Sequence, residues 1–580
     1  MGILIPDRVR QRASSLLGEL KRRDVIKVGV VYIVVGLGAA QAADVFLGNL
    51  APQWALNVAL VILLLGFPLA IVLAWVYAIT PVGVVRDQQG ETSLMGRYAT
   101  GLPAEAARAE VAPTADKRSI AVLPFISRSD DPQDEYFADG VTDDILTALT
   151  MIEGLRVISR TSAMLYKGTT KSTPAIAQEL GVEIVLEGSV RRSSDRVRVV
   201  TQLIHAERDE HLWAATYDRE LQDIFAVQSD IARNVAAALR SQLTARGEAR
   251  LASGAATINF EAYELVARAR HAYLQVTRDH VDHAMKLLRQ ALNLDPDYAD
   301  AWAHLALAHF VLPYFSSVAP ASIEASARQA IDRALDLDDG LPEAYVARAH
   351  WRFQYRYDWA GAERDFAKAL ELNPSSADAY QWRGLMHLLC ERGREAIHEA
   401  RQSVALDPLS FQTRSQLAQN LIWGGQSEVA RPIVEELVEE DPTNFIAHWS
   451  LGILARSADP QAALGHFDAA LSHRDIPLGH ASRSLALRAL GRTSEADQVV
   501  EALEARAAGG AEYVSPFALA VGHFGKRDND RGFHYLQQGI DDHDFLSLYM
   551  RIGLPEGVRH DPRFQAAAHR IWPRDFPLRG

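Results

Sequence analysis

Apolar and polar positions fall into three successive patterns along the chain: nearly unbroken apolar blocks, then short compact or alternating apolar runs, then a helical periodicity that repeats. The first pattern lies between Val25 and Ala78. Val28 to Leu47 reads VGVVYIVVGLGAAQAADVFL, and Trp54 to Thr80 reads WALNVALVILLLGFPLAIVLAWVYAIT. A hydrocarbon core of ~30 Å needs about 20 apolar residues in a helix, so both stretches are long enough to span. Only Gln41 and Asp44 interrupt the first; Pro68 should kink the second, whose ends carry Trp54, Trp75 and Tyr77. The pattern predicts a two-helix transmembrane hairpin over residues 25–80. A cleavable signal peptide has a shorter apolar region, ~7–15 residues, and no second span behind it. Arg8, Arg10, Arg12, Lys21, Arg22, Arg23 and Lys27 crowd the leading flank (residues 1–24 and Lys27), whereas the connecting GNLAPQ has no Lys or Arg. The positive-inside rule then keeps the N-terminus in the cytoplasm, and two crossings bring the rest of the chain back there. If the first stretch merely lay in the interface, the second alone would place the remainder outside.

Residues 81–117 mix Gly, Pro, Ala and charge without periodicity and read as a tether. Residues 118–245 read as a small mixed α/β domain. SIAVLPF (119–125) is a compact apolar run suited to a buried strand. A helix is expected from Thr142, as N-cap, through Ile145, Leu146, Leu149 and Ile152, with Asp143 and Asp144 in its first turn. LRVIS (155–159) reads as a second strand, and Thr173-Pro174 opens a helix that Gly181 closes. VEIVLEGSVRR, DRVRVVTQLIHA and EHLWAATYD read as strands joined by polar turns. Ile224, Val227, Ile231, Val235 and Leu239 recur at helical spacing.

From about residue 255 to 580 a period takes over. Pro374, Pro408 and Pro442 recur every 34 residues, in ELNP, ALDP and EEDP, and NLDP at 293–296 and LDLDD at 335–339 keep the phase. Thirty-four residues is the tetratricopeptide (TPR) period. Small residues hold fixed places where paired helices must approach closely: Gly384 and Ala396 before Pro408, Ala418 and Ala430 before Pro442. Ala327, Ala334, Ala362, Phe366, Ala369, Phe467 and Ala470 continue the pattern, Trp302, Tyr345 and Tyr380 stand near the starts of first helices, and beyond residue 480 the spacing degrades toward a cap. Stacked helix pairs form a superhelix with a groove. The expected fold is thus α/β plus all-α: transmembrane hairpin, small α/β domain, C-terminal TPR α-solenoid.

Net charge narrows the partners. At −13 the chain is a poor match for nucleic acid, which needs a basic surface. Cys390 is the single cysteine, which excludes an intramolecular disulfide and any multi-cysteine zinc site. No phosphate-binding GxxxxGK[ST], no GxSxG and no HExxH occurs, so no catalytic residue, metal ligand or cofactor is assigned. Glu135, Asp139, Asp143 and Asp144 could be imagined as a metal site, though carboxylates at a helix start are favoured by its dipole alone. Arg160 could meet an anionic ligand. Asp279, His280, Asp282 and His283 are the most metal-like cluster, at an expected turn between repeat helices, where polar residues are ordinary.

The strings IAVLPF, EYFADGVTDDI, LRVISRTS, LGVEIVLEGSVRR, HLWAATYDREL and DIFAVQSDIA resemble the TolB-type amino-terminal domain of bacterial membrane-anchored TPR proteins, many described as adenylate-cyclase-related. ELKRRDVIKVGVVYIVVG and LGFPLAIVLAWVY resemble the membrane hairpin that precedes it in some of them. Such proteins often carry a cyclase or winged-helix output domain at the amino terminus, for which residues 1–24 are too few. The resemblance implies that first helices line the groove, with His350, Gln381, Gln419 and Trp449 as exposed partner-binding candidates. The expectation is an inner-membrane scaffold or signalling adaptor that contacts the lipid bilayer and binds a protein or peptide, with homo-oligomerisation open. The alternatives are a small-molecule sensor acting through the α/β domain and, on family association alone, a cyclase-related enzyme.

Overall fold

The structure, a computed structural model, describes residues 77–80, 83–86, 118–129, 132–193, 196–241, 243–244, 259–273, 278–311, 318–510 and 512–572. Strands β1 (Tyr77–Thr80) and β2 (Gly83–Arg86) form a small antiparallel hairpin in which Tyr77 faces Arg86 and Thr80 faces Gly83. The last four residues of the expected second span are therefore strand rather than helix, and the expected tether begins inside a hairpin. The rest of both expected spans lies outside the described residues. Among the described residues no helix is long and apolar enough to cross a membrane.

The α/β domain is built on one mixed sheet. Its strands are β3 (Ser119–Val122), β4 (Ile126–Ser127), β5 (Arg156–Val157), β6 (Ile184–Ser193), β7 (Arg196–His205) and β8 (Glu210–Glu220), in the order β5-β3-β6-β7-β8, with β4 beside β6. β3 runs parallel to β5 and β6, and β6, β7 and β8 form an antiparallel meander. Alternation along β7 puts Val197, Val199, Thr201 and Leu203 inside and the residues between them mostly outside. Helices α1 (Pro132–Leu149) and α4 (Ile224–Ala238) cover the inner face, where Phe137, Val141, Ile145, Ile231 and Val235 meet Ile120, Leu186 and Val199. The short α2 (Arg160–Met164) and α3 (Thr173–Leu180) lie on the opposite side, Ile176, Ala177 and Leu180 packing on Ala121 and Val185.

One boundary is corrected. α1 begins ten residues before the expected N-cap, so Thr142 sits inside the helix, its hydroxyl donating to the Ala138 carbonyl (2.8 Å) and accepting from the Phe125 amide (3.0 Å). At Gly140, inside the helix, an added Cβ would stand 2.9 Å from the Tyr263 hydroxyl, so the close approach of Tyr263 leaves no room for a larger residue. Asp143 and Asp144 are consequently mid-helix residues, and the helix dipole does not account for them.

The remaining described residues form eight consecutive helix pairs: α5 and α6 (Phe260–Tyr273, Arg278–Leu294), α7 and α8 (Ala299–Val311, Glu324–Leu337), α9 and α10 (Pro342–Tyr355, Trp359–Leu372), α11 and α12 (Ala377–Leu389, Gly393–Leu406), α13 and α14 (Phe411–Trp423, Ser427–Glu440), α15 and α16 (Phe445–Ala455, Pro460–His473), α17 and α18 (Pro477–Ala489, Thr493–Gly509), α19 and α20 (Pro516–Gly525, Asn529–Asp541). This is a TPR-like α-solenoid. Side-chain caps start many of the helices: Asp358, Ser376, Ser410, Asn444 and Asp459 each accept from an amide of the first turn. Ala396, Ala430, Ala362, Ala369 and Ala470 have no exposed surface, as close crossings require. At Gly452 an added Cβ would come within 2.4 Å of the Phe467 ring.

Regular pairs extend further than the degraded spacing suggested, through Asp541, and the chain then returns on itself. After a 3-10 turn (Phe545–Tyr549), α21 (Met550–Gly553), α22 (Glu556–Arg559) and α23 (Pro562–Ile571) pack against the third and fourth pairs. Trp572 stacks on Trp359 at 5.7 Å, the Trp359 indole N–H donates to the Ile571 carbonyl (2.7 Å), the Tyr357 hydroxyl to the Ile540 carbonyl (3.2 Å), and Arg551 pairs with Glu391 (3.2 Å).

Candidate functional site

A constellation of buried charge joins the α/β domain to the first repeats. α1 contributes Glu135, Asp139, Asp143 and Asp144; α2 begins with Arg160; α5 supplies Tyr263, Arg270 and His271; α7 supplies Asp300 and His304. The acidic residues singled out in the sequence and Arg160 thus meet one another, and the counter-charge is the protein's own. Arg160 ion-pairs with Asp143. Arg270 lies 3.5 Å from Asp144 and 3.9 Å from Asp143, pairs with Asp300, and donates to His304 Nε2 at 2.7 Å. The Tyr263 hydroxyl (2.7 Å) and Gln228 (3.0 Å) donate to Asp144. Lys167 lies 2.9 Å from Asp139 and 3.1 Å from Glu135, positions a metal ion would have to contest. Among the described residues no group of histidine, cysteine and carboxylate side chains could hold a metal ion.

The electrostatics follow from burial. Asp143 is 5% exposed, and its pKa is raised to about 6: burial outweighs the pull of Arg160 and Arg270. Burial also raises Asp144 and lowers His304 to about 4, which keeps that imidazole neutral. Both Asp143 oxygens and Arg160 Nε and Nη2 lack well-directed hydrogen bonds, so this pair is matched in charge but poorly in geometry. The arrangement holds two domains together through an ionic core whose net charge depends on a carboxyl that titrates near neutrality.

A second contact fastens the other side of the domain. The Ser162 amide (3.0 Å) and hydroxyl (2.5 Å) donate to the Asp407 carboxylate in the turn after α12, and the Leu409 amide donates back to the Ser162 hydroxyl (2.9 Å). The Ser159 amide donates to the Leu406 carbonyl (2.8 Å), Arg156 to the Ala405 carbonyl (2.7 Å), and the Val157 amide to the Ser375 hydroxyl (3.1 Å). Burial raises Asp407 to about 6 against the hydrogen bonds from Ser162. Sequence reasoning missed Ser162 and Asp407. Asp407 was visible only as the acidic residue before Pro408 in the repeat signature.

The expected groove residues are placed differently from one another. His350 is 2% exposed, its ring stacked on Phe310 (4.6 Å) and Phe353 (4.8 Å) and edge-on to Trp382 (4.5 Å), with Phe545 of the returning segment at 5.9 Å. Burial lowers its pKa to about 3. Gln381 is likewise buried, at 3%. Neither is the exposed side chain expected; at His350 the cover is Phe310 and Trp382 of the neighbouring first helices and Phe545 of the returning C-terminal segment. Gln419 and Trp449 are half-buried, and the Trp449 indole donates to the Ser482 hydroxyl (3.0 Å). Asp279, His280, Asp282 and His283 lie in the first turns of α6 rather than in the turn before it, exposed to solvent.

Residues 115–234 match the family described as HilA/YgeH-like transcriptional regulator, second domain. A protein of Rhizobium meliloti (strain 1021) named "Putative adenylate cyclase 3" is 46% identical over 191 residues, 33% of this chain and 32% of that one. The chain therefore spans about a third of the length of the curated relative it matches. Among solved structures, the chain is similar to the APC/C hetero-tetramer Cut9–Hcn1 (14% identity, 60% of this chain and 63% of that one, TM-score 0.37). It is also similar to YrrB, a TPR protein with an unusual peptide-binding site (20% identity, 35% and 97%, TM-score 0.25). A third is pilF of Pseudomonas aeruginosa (16% identity, 37% and 94%, TM-score 0.29).

Proposed function

We propose that this protein is an interaction scaffold that binds a protein or peptide through its helical array, with the α/β domain keyed onto that array. The observation that carries this reading is the run of eight helix pairs, since stacked pairs of this kind build superhelices that recognise polypeptides. In the same reading the N-terminal apolar segment anchors the chain in the inner membrane, with the array in the cytoplasm, and the α/β domain is of the TolB type. The test uses the full chain with a photo-crosslinking residue at Gln419 or Trp449, expressed in its native host. A single discrete crosslinked polypeptide, abolished by substitutions at neighbouring first-helix positions, supports it; the same yield of crosslinks to abundant proteins from any surface position refutes it.

A sensory reading is favoured by one observation: a buried ionic core shared by Asp143, Arg160 and Arg270 couples the α/β domain to the repeats, so a ligand on the domain would be felt by the array. A metabolite that shifts the thermal unfolding of the full chain, and no longer does so in Arg160→Ala, would establish it. The relative's name raises cyclase activity as a third reading; formation of cyclic AMP from ATP by the purified full chain is its test.

A further inference from the structure

β8 is the last strand of the sheet, and among the described residues no strand pairs with its outer edge. It is 11 residues long, and all but Tyr217 are at least partly exposed. Sheet edges in monomeric proteins are usually blunted by Pro, Lys or short length, because a free row of N–H and C=O groups is a template for another strand. β8 has neither Pro nor Lys, and its middle, Trp213-Ala214-Ala215-Thr216-Tyr217, carries no charge. Charge is confined to the two ends: Glu210 at one, Asp218, Arg219 and Glu220 at the other.

That distribution has a definite consequence for self-pairing. An antiparallel two-fold centred on Ala215 sets Trp213 opposite the second copy's Tyr217 and Ala214 opposite its Thr216, each pair on one face of the sheet. The β7–β8 ladder is irregular at one place: Leu203 pairs with Trp213 and Ile204 with His211, so Leu212 is skipped. The same bulge, carried into a new ladder, brings His211 opposite Asp218 and Glu210 opposite Arg219, twice over by symmetry. Trp213 and Tyr217 share the inner face with Leu203 and Val199, whereas His211 and Asp218 share the outer face with Ile204 and Arg198, so the faces agree along the whole strand. The centre carries no charge, and at each end Glu210 faces the second copy's Arg219, while Asp218 keeps Arg196 of its own chain as partner.

We propose that two copies of this chain associate through their β8 edges, joining the two α/β sheets into one continuous sheet across a two-fold axis. The partner is a second copy because the strand is complementary to itself in this register. Like charges would face each other if the bulge were not shared: Glu210 would then oppose Glu220.

The experiment measures the mass of the full chain, purified in detergent, by light scattering over a dilution series, for the wild type, Glu210→Arg, Arg219→Glu and the double variant. The wild type should be a dimer. Each single reversal sets like charges opposite and should raise the dissociation constant at least tenfold, and the double variant, which restores opposite charges, should recover most of the loss. Ala215→Cys should crosslink to its counterpart with a short bis-maleimide; Cys390, 1% exposed, gives little background. A monomeric wild type at every concentration overturns the proposal. So does a dimer indifferent to both single reversals, a double variant weaker than either single, or an Ala215→Cys dimer that does not crosslink.

Discussion

Asp143→Asn tests whether the ionic core between the domain and the repeats is held together by its charges or in spite of them. The folded protein raises the Asp143 pKa from 3.8 to about 6, with Arg160 and Arg270 already pulling the other way. A carboxyl whose folded pKa lies above its unfolded value binds its proton more tightly in the folded state. Its contribution to stability is therefore full below about pH 4 and is lost as pH rises to about 6. Two pH units correspond to about 3 kcal/mol at most, so ionised Asp143 is a net cost near neutrality despite its ion pair. Asparagine has the shape of the protonated acid and cannot ionise. In urea unfolding of the full chain the variant should match or exceed the wild type at pH 7.5, by up to about 3 kcal/mol, and lose most of that advantage at pH 4.5. His304, lowered to about 4, acts oppositely, its stabilisation present above pH 6.5 and lost as pH falls toward 4, but it is common to both proteins and cancels in the difference. Were the pair a net stabiliser, the substitution would strand Arg160 and cost about 3–5 kcal/mol at pH 7.5. A loss of that size, absent at pH 4.5, would refute the reasoning.

Ala396→Leu or Ala430→Leu should overpack a closed helix crossing and cost about 1–3 kcal/mol in chemical denaturation; a change under about half a kcal/mol would show that these alanines do not sit at the crossing. Gly452→Ala should cost a similar amount, since its Cβ would come within 2.4 Å of the Phe467 ring, and Phe467→Leu in the same chain should recover part of it. Asp407→Ala removes the acceptor for the Ser162 amide and hydroxyl and should destabilise the docking by about 1.5–3 kcal/mol, read as faster hydrogen exchange at residues 159–163 with helices α15 to α18 unchanged. For sidedness, the proposal of a cytoplasmic array expects alkaline phosphatase fused after residue 580 to be inactive and green fluorescent protein to be bright; the reverse would place the array in the periplasm.

What was legible in the sequence is what local periodicity encodes. The spacing of Pro374, Pro408 and Pro442 and the alanines between them identified helix pairs, and alternation identified the three-strand meander, because both signals repeat over a few residues. The contacts that define the candidate site join residues far apart: Tyr263 meets Asp144 across 119 positions, Ser162 meets Asp407 across 245, and Trp359 donates to Ile571 across 212. No period reports such distances. The misplaced start of α1 shows how the loss propagates. Because Thr142 looks like a cap, Asp143 and Asp144 read as a first turn, where a helix dipole explains carboxylates without partners. Once the helix is recognised as beginning at Pro132, Asp139 and Asp143 fall one turn apart on the same side of its middle, close to Val141 and Ile145, which are fully buried. Two carboxylates beside a buried stripe require cations from elsewhere in the fold. The reading of Arg160 as a residue seeking an anion then becomes half of a prediction whose other half lay seventeen residues upstream, at Asp143.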